Sequence, residues 1–126
     1  MYHMDALAFL SGLDSESADL VLFDPPYSLS QAAQLYSSFG KDKLEHGVTN
    51  SGYWADVKDE IARITKHGGK VIECGWNTNG IGASRGFELE TVLIVAHGGR
   101  HNDTLVTVER KYVTTRTLFD SAEATE

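Results

Sequence analysis

Apolar residues in Asp5 to Leu13, DALAFLSGL, return at helical spacing. That periodicity predicts a short helix with Asp5 as its N-cap and Gly12 near its end. Leu20 to Phe23 is a brief continuous apolar run, the pattern of a strand covered on both faces. Gln31 to Phe39 suits another short helix, and the polar, glycine-containing Lys41 to Gly52 reads as a loop. In Tyr53 to Lys66, the residues Trp54, Val57, Ile61 and Ile64 share one face, which predicts an amphipathic helix. His67-Gly68-Gly69 then reads as a helix stop, and Lys70 to Cys74 as the next strand. Gly75 to Gly86, rich in glycine and asparagine, reads as a loop. Glu90 to Ala96 and Thr104 to Lys111 close the pattern as two strands joined by HGGRHND, a hairpin-like connection.

This order gives an α/β fold, with helices packed on a sheet that begins parallel and ends in a C-terminal antiparallel hairpin. Ligands in such sheets bind outside the carboxyl ends of the strands. Two loops fall there, Asp24 to Tyr27 and Gly75 to Asn79, and they are expected to be neighbours on one rim. At 126 residues the chain reads as a single domain over residues 1–120, with a small acidic tail over 121–126 that frays. No apolar run approaches the roughly 20 residues that span a membrane, and the first residues show no secretion leader. Cys74 is the sole cysteine, which excludes an internal disulfide and points to a reducing cytoplasm. The net charge of −7 argues against general adhesion to nucleic acid while leaving room for a local basic groove. Lys41, Lys43 and Lys66 are isolated and fit either a solvated face or a phosphate contact. His97 and His101 are separated by glycines, which suits a turn with polar capping rather than a metal site.

The chemistry gathers at Ala18 to Ser30, ADLVLFDPPYSLS, which holds both prolines of the chain. Each proline fixes φ near −65° and removes a backbone donor, and the residue before a proline is pushed toward extended geometry. Asp24-Pro25-Pro26 therefore leaves the strand as a stiff elbow, with an acid and free carbonyls side by side. Such a group receives an NH2 well, and Tyr27 adds a flat face on which a planar ring can stack. Trp76 and Asn77, after the next strand, are placed to line the same rim. A plain strand-ending turn, a buried aromatic and a loop amide are the structural alternatives for these residues.

Asp24-Pro25-Pro26-Tyr27 after an apolar strand resembles the catalytic motif of the S-adenosylmethionine-dependent DNA amino-methyltransferases, which modify adenine N6 or cytosine N4. MDALAFLSGLDSESADLVLFDPPY is similar to that family's run of acid, helix, strand and catalytic loop. HGGKVIECGW is similar to the next helix end and strand, and FELETVLIVAHGGRHNDTLVTVERKY to the closing hairpin. The family's Phe-x-Gly-x-Gly cofactor loop has no counterpart: Asn79 to Gly82, NGIG, has two glycines but follows the later strand. The resemblance therefore implies a partial Rossmann-like methyltransferase sheet carrying the catalytic half of the fold.

It also implies S-adenosyl-L-methionine as cofactor, DNA as partner and adenine N6 as the methylated group. Asp24, Pro25, Pro26 and Tyr27 become the catalytic residues, with Tyr27, Ser28 and Asn77 toward the substrate. Asp5, Ala6, Phe23, Asp24 and Trp76 fall toward the cofactor, Asp5 accepting from its adenine amine; a simple N-cap is the other reading of Asp5. The alternatives are an RNA base methyltransferase, or a degenerate module that binds nucleic acid or a partner without catalysis. A wholly apolar strand at Leu20–Phe23, left at a sheet edge, is exposed to pairing. It predicts a homo-oligomer or a completing subunit.

Overall fold

The computed structural model describes residues 1–38 and 51–113. The elements run α1 (Ala6–Ser11), β1 (Ala18–Phe23), α2 (Leu29–Ser38), α3 (Ser51–Ile64), β2 (Thr65–Gly75), a 3₁₀ turn (Ala83–Arg85), β3 (Phe87–Val95) and β4 (Thr104–Lys111). Four strands form one sheet in the order β1-β2-β4-β3. β1 and β2 are parallel, while β4 is antiparallel to both β2 and β3. The α/β class and the antiparallel closing hairpin expected from the sequence are both present. The second hairpin strand inserts beside β2 and leaves the first at the far edge. Residues 41–50 of the expected loop, with Lys41 and Lys43, and the expected tail lie outside the described residues.

Helix α3 builds the core. Tyr53, Val57, Ile61 and Ile64 recur turn after turn and are buried against Leu10, Val71, Ile81 and Phe87. Trp54, assigned to this face by the sequence, is only half-buried beside them. Helix α1 begins as expected: the Asp5 carboxylate accepts from the Ala8 amide at 3.0 Å. Arg63 then ties the two helices, donating to the Leu10 carbonyl at 2.9 Å and to Glu60 at 2.7 Å.

The helix stop differs from the expectation. α3 ends at Ile64, and His67-Gly68-Gly69 lies inside β2, whose strand runs from Thr65 rather than from Lys70. Side chains end this helix without glycine. Lys111 Nζ donates to the carbonyls of Ala62 and Thr65 at 2.6 and 2.7 Å, and the Thr65 hydroxyl donates to the Ile61 carbonyl at 2.6 Å. The glycines serve an irregularity in the strand pairing. Ala18 pairs with Thr65 while Leu20 pairs with Lys70, so the extra residues must be accommodated on β2. Gly68 has φ of +79°, and a Cβ on Gly69 would stand 2.8 Å from the Lys66 carbonyl oxygen.

The sheet has two unequal faces. Val21 and Phe23 turn toward the helices. Leu20 and Leu22 point the other way and are 59% and 71% exposed. Among the described residues β1 has one neighbour and a free edge, and helices cover only its Val21 and Phe23 face, so the expectation of a strand covered on both faces fails. No helix of the described residues is long and apolar enough to cross a membrane.

Candidate functional site

Parallel pairing brings Phe23 opposite Glu73. The loops that leave β1 and β2 therefore emerge side by side on one rim. Between them lies a cleft of about 160 Å³. Phe23, Pro25, Pro26 and Tyr27 line it from the first loop. Cys74, Gly75, Trp76 and Asn77 line it from the second, and Trp54, Lys58 and Glu73 from helix α3 and strand β2. The rim expected from the sequence is thus formed.

Asp24 lies just past the end of β1, and its Oδ1 accepts from the Tyr27 hydroxyl at 2.8 Å. Burial, together with the adjacent Asp24 carboxylate, pushes the Tyr27 phenol well above its ordinary range, so it stays protonated. The Tyr27 ring meets Trp76 edge-on, with centroids 5.6 Å apart. The Tyr27 amide donates to Gln31 Oε1 at 2.8 Å, and Ser28 Oγ accepts from the Gln31 amide at 3.2 Å. Ser28 therefore caps the start of α2, and this pair of bonds fixes the loop. Asn77 Oδ1 accepts from the Asn79 amide at 2.9 Å, the local turn that short amide side chains favour.

A second group of side chains holds the cleft from below. Lys58 Nζ donates to Glu73 Oε1 at 2.9 Å and to the Gly80 carbonyl at 2.7 Å. Glu73 is only 9% exposed, and its Oε2 has no hydrogen-bond partner among the described residues. A buried unpaired acceptor costs about 1–3 kcal/mol. Burial pushes the Glu73 carboxyl up, Lys58 opposes that, and nearby Glu109 adds to it. Glu109, 3% exposed, accepts from the amides of Ile81 and Gly82 at 2.6 and 3.0 Å. Gly80 has φ of +56°, and a Cβ there would collide with the Glu109 carboxylate. These contacts anchor the loop that carries Trp76 and Asn77.

Burial and the Asp24 charge push the Cys74 thiol up as well, with the Tyr27 hydroxyl opposing. Less thiolate is then present at any given pH. Cys74 is expected to react with a disulfide reagent more slowly than free cysteine at a pH of about 8, near the ordinary thiol value. A rate equal to that of free cysteine would contradict this environment.

No protein-family model matches the chain, and no curated protein matches it. Solved structures do. TTHA0409 of Thermus thermophilus, provisionally named a DNA modification methylase, superposes with a TM-score of 0.57 at 16% identity, over 88% of this chain and 53% of that one. The same protein complexed with S-adenosyl-L-methionine gives a TM-score of 0.56 at 17% identity, over 87% of this chain and 52% of that one. The chain shares its fold with these structures. This chain spans about half the length of the methyltransferase structures it matches.

On this fold, the predicted residues fall into two groups. The cleft brings together Phe23, Pro25, Pro26, Tyr27, Trp76 and Asn77. Asp5, Ala6, Asp24 and Ser28 are not among its lining residues. Asp5 does cap its helix, and it does more: Oδ2 accepts from the Tyr53 hydroxyl at 2.6 Å. Tyr53 packs edge-on against Trp54 at 4.9 Å, and Trp54 meets Phe23 at 6.0 Å. A row of side chains thus links Asp5 to the cleft. His97 closes the hairpin turn, its amide donating to Asp103 Oδ1 at 3.0 Å and its ring sharing a hydrogen bond with Thr104 at 2.9 Å. Lys66 pairs with Asp19 at 3.0 Å.

Sequence reasoning missed Lys58, Glu73 and Glu109. The signal for Glu73 was present: it is an acid inside the apolar run Val71 to Cys74. Glu109 shares a face of β4 with Thr107, opposite Val106 and Val108, so alternation alone gave it to solvent, whereas the sheet turns that face inward and buries both.

Proposed function

We propose that this chain is the catalytic portion of an S-adenosylmethionine-dependent methyltransferase that modifies the exocyclic amine of adenine in DNA. One observation carries the reading: Asp24-Pro25-Pro26-Tyr27 leaves the carboxyl end of β1 beside a cleft, on a methyltransferase fold. An exocyclic amine is a weak nucleophile because its lone pair is delocalised into the ring. The Asp24 carboxylate and the Pro25 carbonyl accept its two hydrogens, localise that pair and aim it. Tyr27 supplies a stacking face for a base taken out of the duplex, a step that costs a few kcal/mol.

The chain's own residues fit the cofactor. Asp5 offers a carboxylate already oriented by two donors, and Trp54 and Phe23 continue from it as planar, apolar surface. Asp5, Ala6, Phe23 and Trp76 are the residues that would hold S-adenosylmethionine. When bound, that group supplies an electrophilic methyl. Calorimetry with S-adenosylmethionine, followed by labelled-methyl transfer to duplex DNA and to RNA, tests the reading. Binding with transfer to DNA adenine supports it, and transfer confined to RNA moves the substrate to the runner-up class. A chain that binds no cofactor sinks it.

The Tyr27 hydroxyl occupies the acid that the amine needs. Tyr27→Phe removes that competitor and keeps the ring, so kcat/KM is expected at or above the parent value. Tyr27→Ala removes the stacking face and is expected to lose about 1–3 kcal/mol, roughly 5- to 150-fold in kcat/KM. Equal losses in the two variants would contradict a stacking role.

A further inference from the structure

We propose that β3 is a self-association edge, where a second copy of this chain adds its own β3 antiparallel about a two-fold axis at Leu93. Among the described residues β3 has β4 on one side and a free edge on the other. From Glu88 to Val95 every residue of it is exposed. Val92, Leu93, Ile94 and Val95 are each between 39% and 69% exposed, and no charge or proline lies from Thr91 to Ala96 to discourage pairing. Val92 and Ile94 stand on the helix side of the sheet, level with Thr107 and Leu105, while Leu93 and Val95 stand on the other. The run is therefore uncovered on both faces as well as along its edge.

The charges at the two ends of β3 point to a second copy as the occupant. The strand begins with Glu88 and Glu90, and the turn after it carries an exposed Arg100. Antiparallel pairing lays the acidic end of one copy beside the basic turn of the other. Asp103 is turned into the hairpin, where it accepts from the His97 amide at 3.0 Å, and Glu90 is balanced by Lys70 and Arg110. β1 is the poorer edge for a copy of itself. Asp19 lies near its start and Asp24 just past its end, so an antiparallel copy brings acid to acid. The described chain also ends away from β3: the Tyr112 carbonyl accepts from His67 on β2 at 2.7 Å, and Val113 lies beside Gly68.

Hydrogen bonding limits the register. Backbone groups alternate between the two sides of a strand, so outward groups meet outward groups only when the two-fold falls on a residue. At Leu93, Thr91 faces the partner's Val95 and Val92 faces the partner's Ile94. The apolar run then covers itself, and both glutamates lie beyond it. β3 runs parallel to β1, so the two clefts open at opposite ends of one continuous sheet. Each cleft is built from a single chain, and the association does not depend on the reaction it carries out.

The test is sedimentation equilibrium of the full chain. So short a paired run makes a small interface, so the concentrations run from about 1 μM to 1 mM, the range of weak association. The mass is expected to rise from one chain to two. A monomer throughout overturns the proposal, and so does growth past the dimer, because a two-fold pair is closed. Leu93→Lys sets like charges against each other across the axis and is expected to weaken association at least about tenfold. A folded Leu93→Lys with parental association overturns the proposal. So does a loss seen in Leu22→Lys on β1 and not in Leu93→Lys. Should Leu93→Lys not fold, cross-linking in a Cys74→Ser chain decides. Leu93→Cys is expected to oxidise to a disulfide-linked dimer, since Cβ atoms directly opposite stand only about 4.5–5.5 Å apart. Glu88→Cys is expected to stay unlinked, because its two copies lie at opposite ends of the paired run. Equal yields from the two variants overturn the proposal.

Discussion

Asp24→Ala is expected to lower methyl transfer at least about 100-fold, the loss typical when one preorganised partner of the reacting group is removed. The fold is expected to survive intact. Asp24 stands just past the last residue of β1, outside the core, and its carboxylate holds the hydroxyl of Tyr27 on the same loop. Its removal opens no core cavity, so thermal unfolding should match the parent. Asp24→Asn keeps the shape and one acceptor oxygen but removes the charge, and is expected to lose less than Asp24→Ala. Labelled-methyl incorporation under saturating cofactor reads both variants. Parental rates in either would remove Asp24 from the chemistry.

Glu109→Ala is expected to have the opposite profile, with a large loss of stability that begins far from the reacting atoms. The Glu109 carboxylate receives the amides of Ile81 and Gly82 in the interior. Truncation leaves the buried Ile81 amide and the part-buried Gly82 amide without an acceptor, at about 1–3 kcal/mol for the first and less for the second. A total near 3 kcal/mol is a large share of the roughly 5–15 kcal/mol that holds an ordinary domain. Glu109→Gln retains one acceptor and is expected to lose about half as much. Urea unfolding, read as a lower midpoint at unchanged slope, checks this. A midpoint within experimental scatter of the parent would show that the loop finds other partners.

Much of the site could be read from residues alone, because its key geometry is local. Asp24-Pro25-Pro26-Tyr27 has to leave a strand stiffly, and an apolar run before it has to be that strand. The turn HGGRHND between two strand-like runs likewise placed β3 and β4, although β3 begins at Phe87 rather than at Glu90. The parts that stayed hidden depend on distant partners. His67-Gly68-Gly69 looked like a helix stop because glycine serves helix ends and strand irregularities equally well. Only the pairing of Ala18 with Thr65 and of Leu20 with Lys70 distinguishes them. Asp5 read as a cap or as a ligand contact, and its bond to Tyr53, 48 residues away, was invisible to local pattern. Lys58 looked ordinary in its helix, and the acid Glu73 stood out in its apolar strand without a visible partner until α3 lies across β2 and pairs the two.

The strand order has a consequence for motion. β2 and β4 have neighbours on both sides, while β1 has one among the described residues. Amides in the middle of the sheet can exchange with solvent only by large-scale opening, whereas those of an edge strand exchange by local fraying. The elbow Asp24-Pro25-Pro26-Tyr27 is the direct continuation of that edge. Its prolines make it stiff as a unit, so it moves as β1 moves, hinging with the strand rather than bending within itself. Phe23, packed against Trp54, is the last anchor before the elbow begins. Opening at that ring pair is therefore the local event that would free the elbow from the sheet.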